Sequence, residues 1–255
     1  MFANIFRQMP PVTKNLLIIN FIIWAAMAFV PAVDIALTRN AALYYIESDG
    51  FRPWQVVTYM FVHGGFAHLF FNMFALMMFG GIIEYTLGSK RFLFYYLSCG
   101  IGAALIQEGV FALMAMRYHE IFTPDQCAAI VQYGWQVNLY GSIPVSSEIF
   151  NLLTDPSAQK FMSLLCMPTV GASGAIYGIL LAFGMLYPNR QMFIMFIPVP
   201  VKAKWVVLGY GVLELLMGVG NVDSSVAHFA HLGGMLFGFF MLWYWKKKGD
   251  FRGWY

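Results

Sequence analysis

Charge is what this 255-residue sequence has least of. Asp, Glu, Lys and Arg make up 11% of it, while 60% is hydrophobic and 18% aromatic; soluble domains carry roughly 25% charge. So few charges cannot solvate a compact body of this size, and a mean hydropathy of +0.67 points to lipid as the solvent for the excess apolar surface. The same composition excludes disorder, collagen and coiled coil. Cysteine is scarce too. Cys99, Cys127 and Cys166 are odd in number and far apart, giving neither a disulfide framework nor a CxxC metal pattern. The net charge is only +3 and the basic residues form no groove-like cluster, so nothing supports a nucleic-acid partner. No HExxH occurs, which removes the zinc-protease signature, and no metal or cofactor is expected.

What the sequence does have is a series of apolar stretches almost free of charge. A helical span needs about 20 mostly apolar residues, and six candidates are present: about 15–33, 56–85, 91–116, 171–188, 205–221 and 224–245. The sequence therefore predicts an all-α membrane protein, a six-transmembrane-helix bundle. It divides into a cytoplasmic segment 1–14, a helical domain 15–245 with an outer insert 117–165, and a basic tail 246–255. Arg7 and Lys14 before an apolar run could also suggest a signal peptide, but the run is long enough to span and no small-x-small cleavage site follows it. With the N-terminus inside, 11 of the 15 Lys and Arg residues fall on the cytoplasmic side, leaving Arg39, Arg52, Arg117 and Lys160 outside. Both termini are thus expected in the cytoplasm. The outer segments 34–55 and 117–165 are long for simple connections, and long loops usually carry function or partner contacts.

A polar side chain inside a membrane is costly, so each one is a candidate site or interhelical contact. His68 and Asn72 stand four apart on the second span, on one helix face. Gly171-Ala172-Ser173-Gly174 opens the fourth, and His228 and His231 stand three apart on the sixth. These three spans run in the same direction. Asn72 lies 18 residues before Lys90, Ser173 lies 17 before Arg190 and His231 lies 15 before Lys246, a spread of only about 5 Å in depth. Gly174, Gly178 and Ala182 recur at spacing four, as do Gly234 and Gly238, the small-xxx-small pattern that lets helix backbones approach closely. That pattern supports proximity of Ser173 and His231 without specifying chemistry.

The residue types then specify it. A serine hydroxyl is a poor nucleophile until a neighbouring base takes its proton, and histidine is the usual base. Attack on an amide builds an oxyanion, which needs preorganised donors in a low-dielectric site. A helix start offers free N–H groups and a favourable dipole at Ser173, and His68 and Asn72 can add side-chain donors.

These residues resemble the rhomboid intramembrane serine proteases. The matches are His63-Gly-Gly-Phe-Ala-His68-Leu-Phe-Phe-Asn72, then Gly80-xxx-Glu84-xxx-Gly88, then Gly171-Ala-Ser173-Gly174 with Tyr177, and Ala230-His231-xx-Gly234-xxx-Gly238. The resemblance covers roughly 51–245. It implies Ser173 as nucleophile and His231 as general base, a dyad without an acidic third member. His68, Asn72 and the Ser173 backbone N–H would form the oxyanion hole. Tyr177 would pack against the imidazole, and Glu84 would be a structural hydrogen-bonding acid between helices. Gly171, Gly174, Gly234 and Gly238 would support the site.

The implied activity is hydrolysis of a peptide bond in or beside a transmembrane segment of a membrane-protein substrate, without metal or nucleotide. Substrate would enter past the fifth helix and the loop about 219–226, and a bacterial cytoplasmic (inner) membrane is expected. Val226 departs from the family, which often has glycine there. The Ala-His-xx-Gly pattern fits His231 and not His228, which is expected as a rim or packing residue on the same face, and His63 is expected near the outer interface. Glu108 and Glu214 lack motif context and are read as interhelical or cavity-facing contacts. An inactive rhomboid-like protein that binds membrane partners is the alternative reading, against which the intact Ser173 and His231 argue.

Overall fold

The computed structural model describes residues 8–141, 143–194, 197–220 and 226–249. The first helix, α1 (Pro11–Phe29), starts at a Pro-Pro step, where the missing N–H costs nothing, and stops before Pro31. It therefore sits four residues earlier than expected at each end. Pro31 opens a separate helix, α2 (Pro31–Ala41), with Asp34 in its first turn and Arg39 in its last.

The second expected span, 56–85, is not one helix. A short α3 (Gln55–Thr58) and a 3-10 turn (Tyr59–Phe61) precede an extended break at Val62, and Gly65 takes φ 154°. The spanning helix is α4 (Phe66–Ala75), continued through a π turn (Leu76–Gly80) into α5 (Gly81–Leu87). Gly88, at φ 77°, ends it and leads into α6 (Ser89–Ile121). At 33 residues α6 runs past the expected end at Met116, because Arg117 and Glu120 favour helix as well as water.

The insert is helical. It forms α7 (Pro124–Tyr140), α8 (Ser147–Thr154) and α9 (Pro156–Cys166), capped by Thr123, Ser146 and Asp155 side chains that accept first-turn N–H groups. Phe111 and Ala115 of α6 share a core with Cys127, Ile130, Phe161 and Leu165 of the insert and with Tyr45 of the outer segment. Burial pushes the Cys166 thiol up to about 11, and Cys99, Cys127 and Cys166 are all unbridged.

The fourth expected span is α10 (Ser173–Leu186), followed by the one sheet among the described residues, a departure from all-α: β1 (Gln191–Ile194) pairs antiparallel with β2 (Ile197–Lys202). Pro198 and Pro200 between β-branched residues exclude helix there and favour extended chain. The fifth and sixth are α11 (Ala203–Gly220) and α12 (Val226–Lys247). Most of the expected entry loop about 219–226, the Val226 side chain and the tail beyond 249 lie outside the described residues.

Among the described residues four helices are long and apolar enough to cross a membrane: Pro11–Phe29, Phe66–Leu87, Ser89–Ile121 and Ala203–Gly220; Ser173–Leu186 is apolar but shorter. Large apolar side chains such as Phe70, Phe74, Leu208, Leu215 and Phe240 face outward, as a lipid solvent requires. The centre is α12 packed on α6 and α10. Glu84, 1% exposed, fastens the first helix to this centre: Oε1 accepts the Val12 N–H at 2.9 Å and the Ser89 hydroxyl at 2.7 Å, and Oε2 accepts the Thr13 N–H at 2.7 Å. It satisfies first-turn donors of α1 that proline has left without a side-chain cap.

Candidate active site

The loop before α10 is held on two sides. Leu43 and Thr169 exchange backbone hydrogen bonds of 3.0 and 2.7 Å, and the Gly171 N–H donates to the Tyr59 carbonyl at 2.9 Å. Tyr59 is itself fixed by its hydroxyl, which donates to the Gly100 carbonyl at 2.7 Å. Gly171 has φ 109°, a conformation suited to glycine, and a Cβ there would lie 2.5 Å from His68 Nε2. The His68 and Asn72 side chains therefore lie against the backbone just ahead of Ser173. The Asn72 side-chain amide donates one N–H to the His68 carbonyl at 3.0 Å and keeps a second donor. Ser173 is the first residue of its helix and has no side-chain cap above it, so the N–H groups of this turn lack intrahelical partners.

Ser173 Oγ lies 2.8 Å from His231 Nε2, a contact between α10 and α12 across 58 residues of sequence. Glycine sets that approach. A Cβ on Gly234 would fall inside the Gly174 carbonyl, while one on Gly174 would strike Ala103 and one on Gly178 would lie 2.5 Å from Cys99 Sγ, so these two glycines seat α10 on α6. Gly238 leaves room for the Tyr95 hydroxyl, which donates to the Gly178 carbonyl at 2.7 Å.

One turn along α10, the Tyr177 ring stacks on His231, with centroids 4.2 Å apart and planes 6° from parallel. The Tyr177 hydroxyl donates to Glu214 Oε1. Glu214 reaches in from α11 and is 8% exposed. Its Oε2 lies 2.6 Å from His228 Nδ1 and 3.1 Å from His231 Nδ1, the latter within ion-pair distance but off the hydrogen-bonding direction. Glu214, His228 and His231 are also the one group among the described residues whose ligand atoms, all within 4.8 Å of one another, could hold a metal ion.

The family model for the rhomboid domain matches residues 50–119 and 130–248. The chain belongs to the rhomboid family. It is 28% identical over 191 residues to Rhomboid protease GluP of Bacillus subtilis, covering 73% of this chain and 25% of that protein. Against RHOMBOID-like protein 12, mitochondrial, of Arabidopsis thaliana the figures are 28% over 214 residues, 82% and 52%. Against Rhomboid protease AarA of Providencia stuartii they are 27% over 202 residues, 78% and 58%. This rhomboid thus spans a quarter to somewhat over half the length of these relatives.

The structure of this rhomboid brings Ser173, His231, Tyr177, Gly171, Gly174 and Gly234 together and sets His68 and Asn72 beside Gly171. Glu84 stands apart, at the foot of α1. His63 is buried, 3% exposed, with its ring 5.2 Å from that of His68 in an edge contact. His228 packs on the same side as His231, with its Nδ1 2.6 Å from the Glu214 carboxylate. Glu108 does tie elements together, accepting the Ile46 N–H at 2.9 Å and so anchoring the outer segment to α6.

The residue that sequence reasoning undervalued is Glu214. A carboxylate inside an apolar span was the available signal, but no motif linked it to His231.

Proposed function

We propose that this rhomboid is an intramembrane serine endopeptidase cutting peptide bonds in or near transmembrane segments of membrane-protein substrates. The observation that carries the reading is the 2.8 Å contact between Ser173 Oγ and His231 Nε2. That distance lies inside the reach of a general base and its proton donor. Ser173 Oγ attacks the scissile carbonyl while His231 Nε2 takes its proton. The oxyanion is received by the Ser173 N–H, the second Asn72 amide proton and the His68 ring, and His231 then protonates the leaving amine. Water repeats the sequence on the acyl-enzyme. The stack of Tyr177 on the imidazole keeps Nε2 aimed at Ser173 throughout.

Six spans with both termini in the cytoplasm suit this reading: α1, α4 with α5, α6, α10, α11 and α12. The 14 residues of α10 extend about 21 Å, short of a hydrocarbon core of about 30 Å. Ser173 would then begin its helix below the outer surface, where substrate segments pass. A cavity of about 650 Å³ between α10, α11 and α12, lined by Leu181, Val207, Leu215 and Leu236, suits entry past α11. The bacterial inner membrane expected from the sequence is one of the settings the relatives suggest, since they carry bacterial and mitochondrial descriptions.

The test is cleavage of a single-span membrane substrate by purified protein in lipid nanodiscs. Wild type should cut, and Ser173→Ala and His231→Ala should not, at unchanged thermal stability. Cleavage persisting in Ser173→Ala would refute the assignment. A folded wild type that cuts nothing but retains membrane proteins on purification would favour a partner-binding role.

A further inference from the structure

The Glu214 carboxylate joins three helices. Oε1 accepts the Tyr177 hydroxyl of α10, and Oε2 faces His228 Nδ1 and His231 Nδ1 of α12 at 2.6 and 3.1 Å. From these contacts we propose that Glu214 is a positioning residue for His231, which makes the site a Ser173–His231–Glu214 triad rather than a bare dyad. The inference rests on the protease reading above.

For Nε2 to accept the Ser173 proton, the neutral imidazole must carry its own proton on Nδ1. That Nδ1 faces Glu214 Oε2, so an ionised carboxylate favours the productive tautomer and stabilises the imidazolium formed when Ser173 is deprotonated. The contact is off-axis at rest, and catalytic hydrogen bonds commonly tighten only once substrate is bound. Tyr177 contributes twice. Its ring lies flat on the imidazole and its hydroxyl holds Oε1, which leaves Oε2 directed at the two histidines. His228 shares that oxygen, and its N–H also keeps Oε2 in place. Because Glu214 belongs to α11, the helix proposed to flank substrate entry, displacement of that helix would withdraw the carboxylate from His231.

The test compares Glu214→Gln, Glu214→Asp and Tyr177→Phe with wild type in nanodiscs, measuring kcat and KM for a single-span substrate together with thermal midpoints. A neutral amide cannot enforce the tautomer, so Glu214→Gln should lower kcat about 10²–10³-fold with KM within about twofold. Glu214→Asp keeps the anion and should recover at least about tenfold of that loss. Tyr177→Phe keeps the stack, is nearly isosteric, and should lower kcat about three- to tenfold by freeing the carboxylate. It decides the matter if Glu214→Gln does not fold. A folded Glu214→Gln with kcat within about twofold of wild type, equal losses in Gln and Asp, or a Tyr177→Phe with unchanged kcat would overturn the proposal. Those outcomes leave an active wild type, whereas an inert wild type would overturn the protease reading and this inference with it.

Discussion

Gly234→Ala adds one methyl group at the closest backbone approach in the bundle. On the present backbone that carbon falls inside the Gly174 carbonyl, by about 1 Å or more beyond any ordinary contact. A side chain could rotate away, but the obstacle is main chain, so α10 and α12 must part by roughly 1 Å. Ser173 lies one residue before Gly174, and His231 three before Gly234. The separation therefore passes directly into the Ser173–His231 contact, lengthening it from 2.8 Å to about 3.8 Å, beyond the reach of a general base.

A misplacement of this size costs about 10²-fold in rate, and overpacking costs about 1–3 kcal/mol in stability. The assay is kcat/KM for the single-span substrate beside a thermal unfolding curve. Gly209→Ala on α11 is the control, because nothing lies within 4 Å of its added Cβ. Wild-type rate in that control and a loss of about a hundredfold in Gly234→Ala are expected. A Gly234→Ala variant within about threefold of wild type would refute the argument that glycine sets the approach of the pair.

Two other variants separate stability from chemistry. Glu84→Gln weakens charge-assisted bonds to the Val12 and Thr13 N–H groups and should cost about 1.5–3 kcal/mol in chemical denaturation while leaving the rate per folded molecule unchanged; a stability equal to wild type would show that the first helix is held otherwise. Asn72→Ala should lower kcat by about ten- to a thousandfold, since the Ser173 N–H and His68 remain as donors; an unchanged kcat would remove Asn72 from the oxyanion hole.

The proximity of Ser173 to His231 was legible in the sequence because two independent periodicities agree on it. Depth counted from the lysines and arginines expected on the cytoplasmic side puts the residues level, and the glycines at spacing four put their helices in contact. Glu214 escaped the same counting. It stands 10 residues from Lys204 and His231 stands 15 from Lys246, which puts the two about one and a half turns apart in depth for upright helices. Counting registers neither helix tilt nor the length of a side chain reaching sideways.

The helices of the insert were readable from Thr123-Pro-Asp-Gln126 and from Ser146 and Asp155 ahead of apolar runs, signals that charge counting passes over. The break before Phe66 was masked because the Val56–Phe61 stretch is as apolar as a span. Composition alone does not distinguish a buried outer segment from a lipid-facing one.

The most direct measurement of the central claim is fluorophosphonate modification of the protein in nanodiscs, with the adduct located by peptide mass spectrometry. One adduct is expected, on Ser173, and it should disappear in His231→Ala although the serine is still present. An adduct on another residue, or labelling of Ser173 that is indifferent to His231, would contradict it.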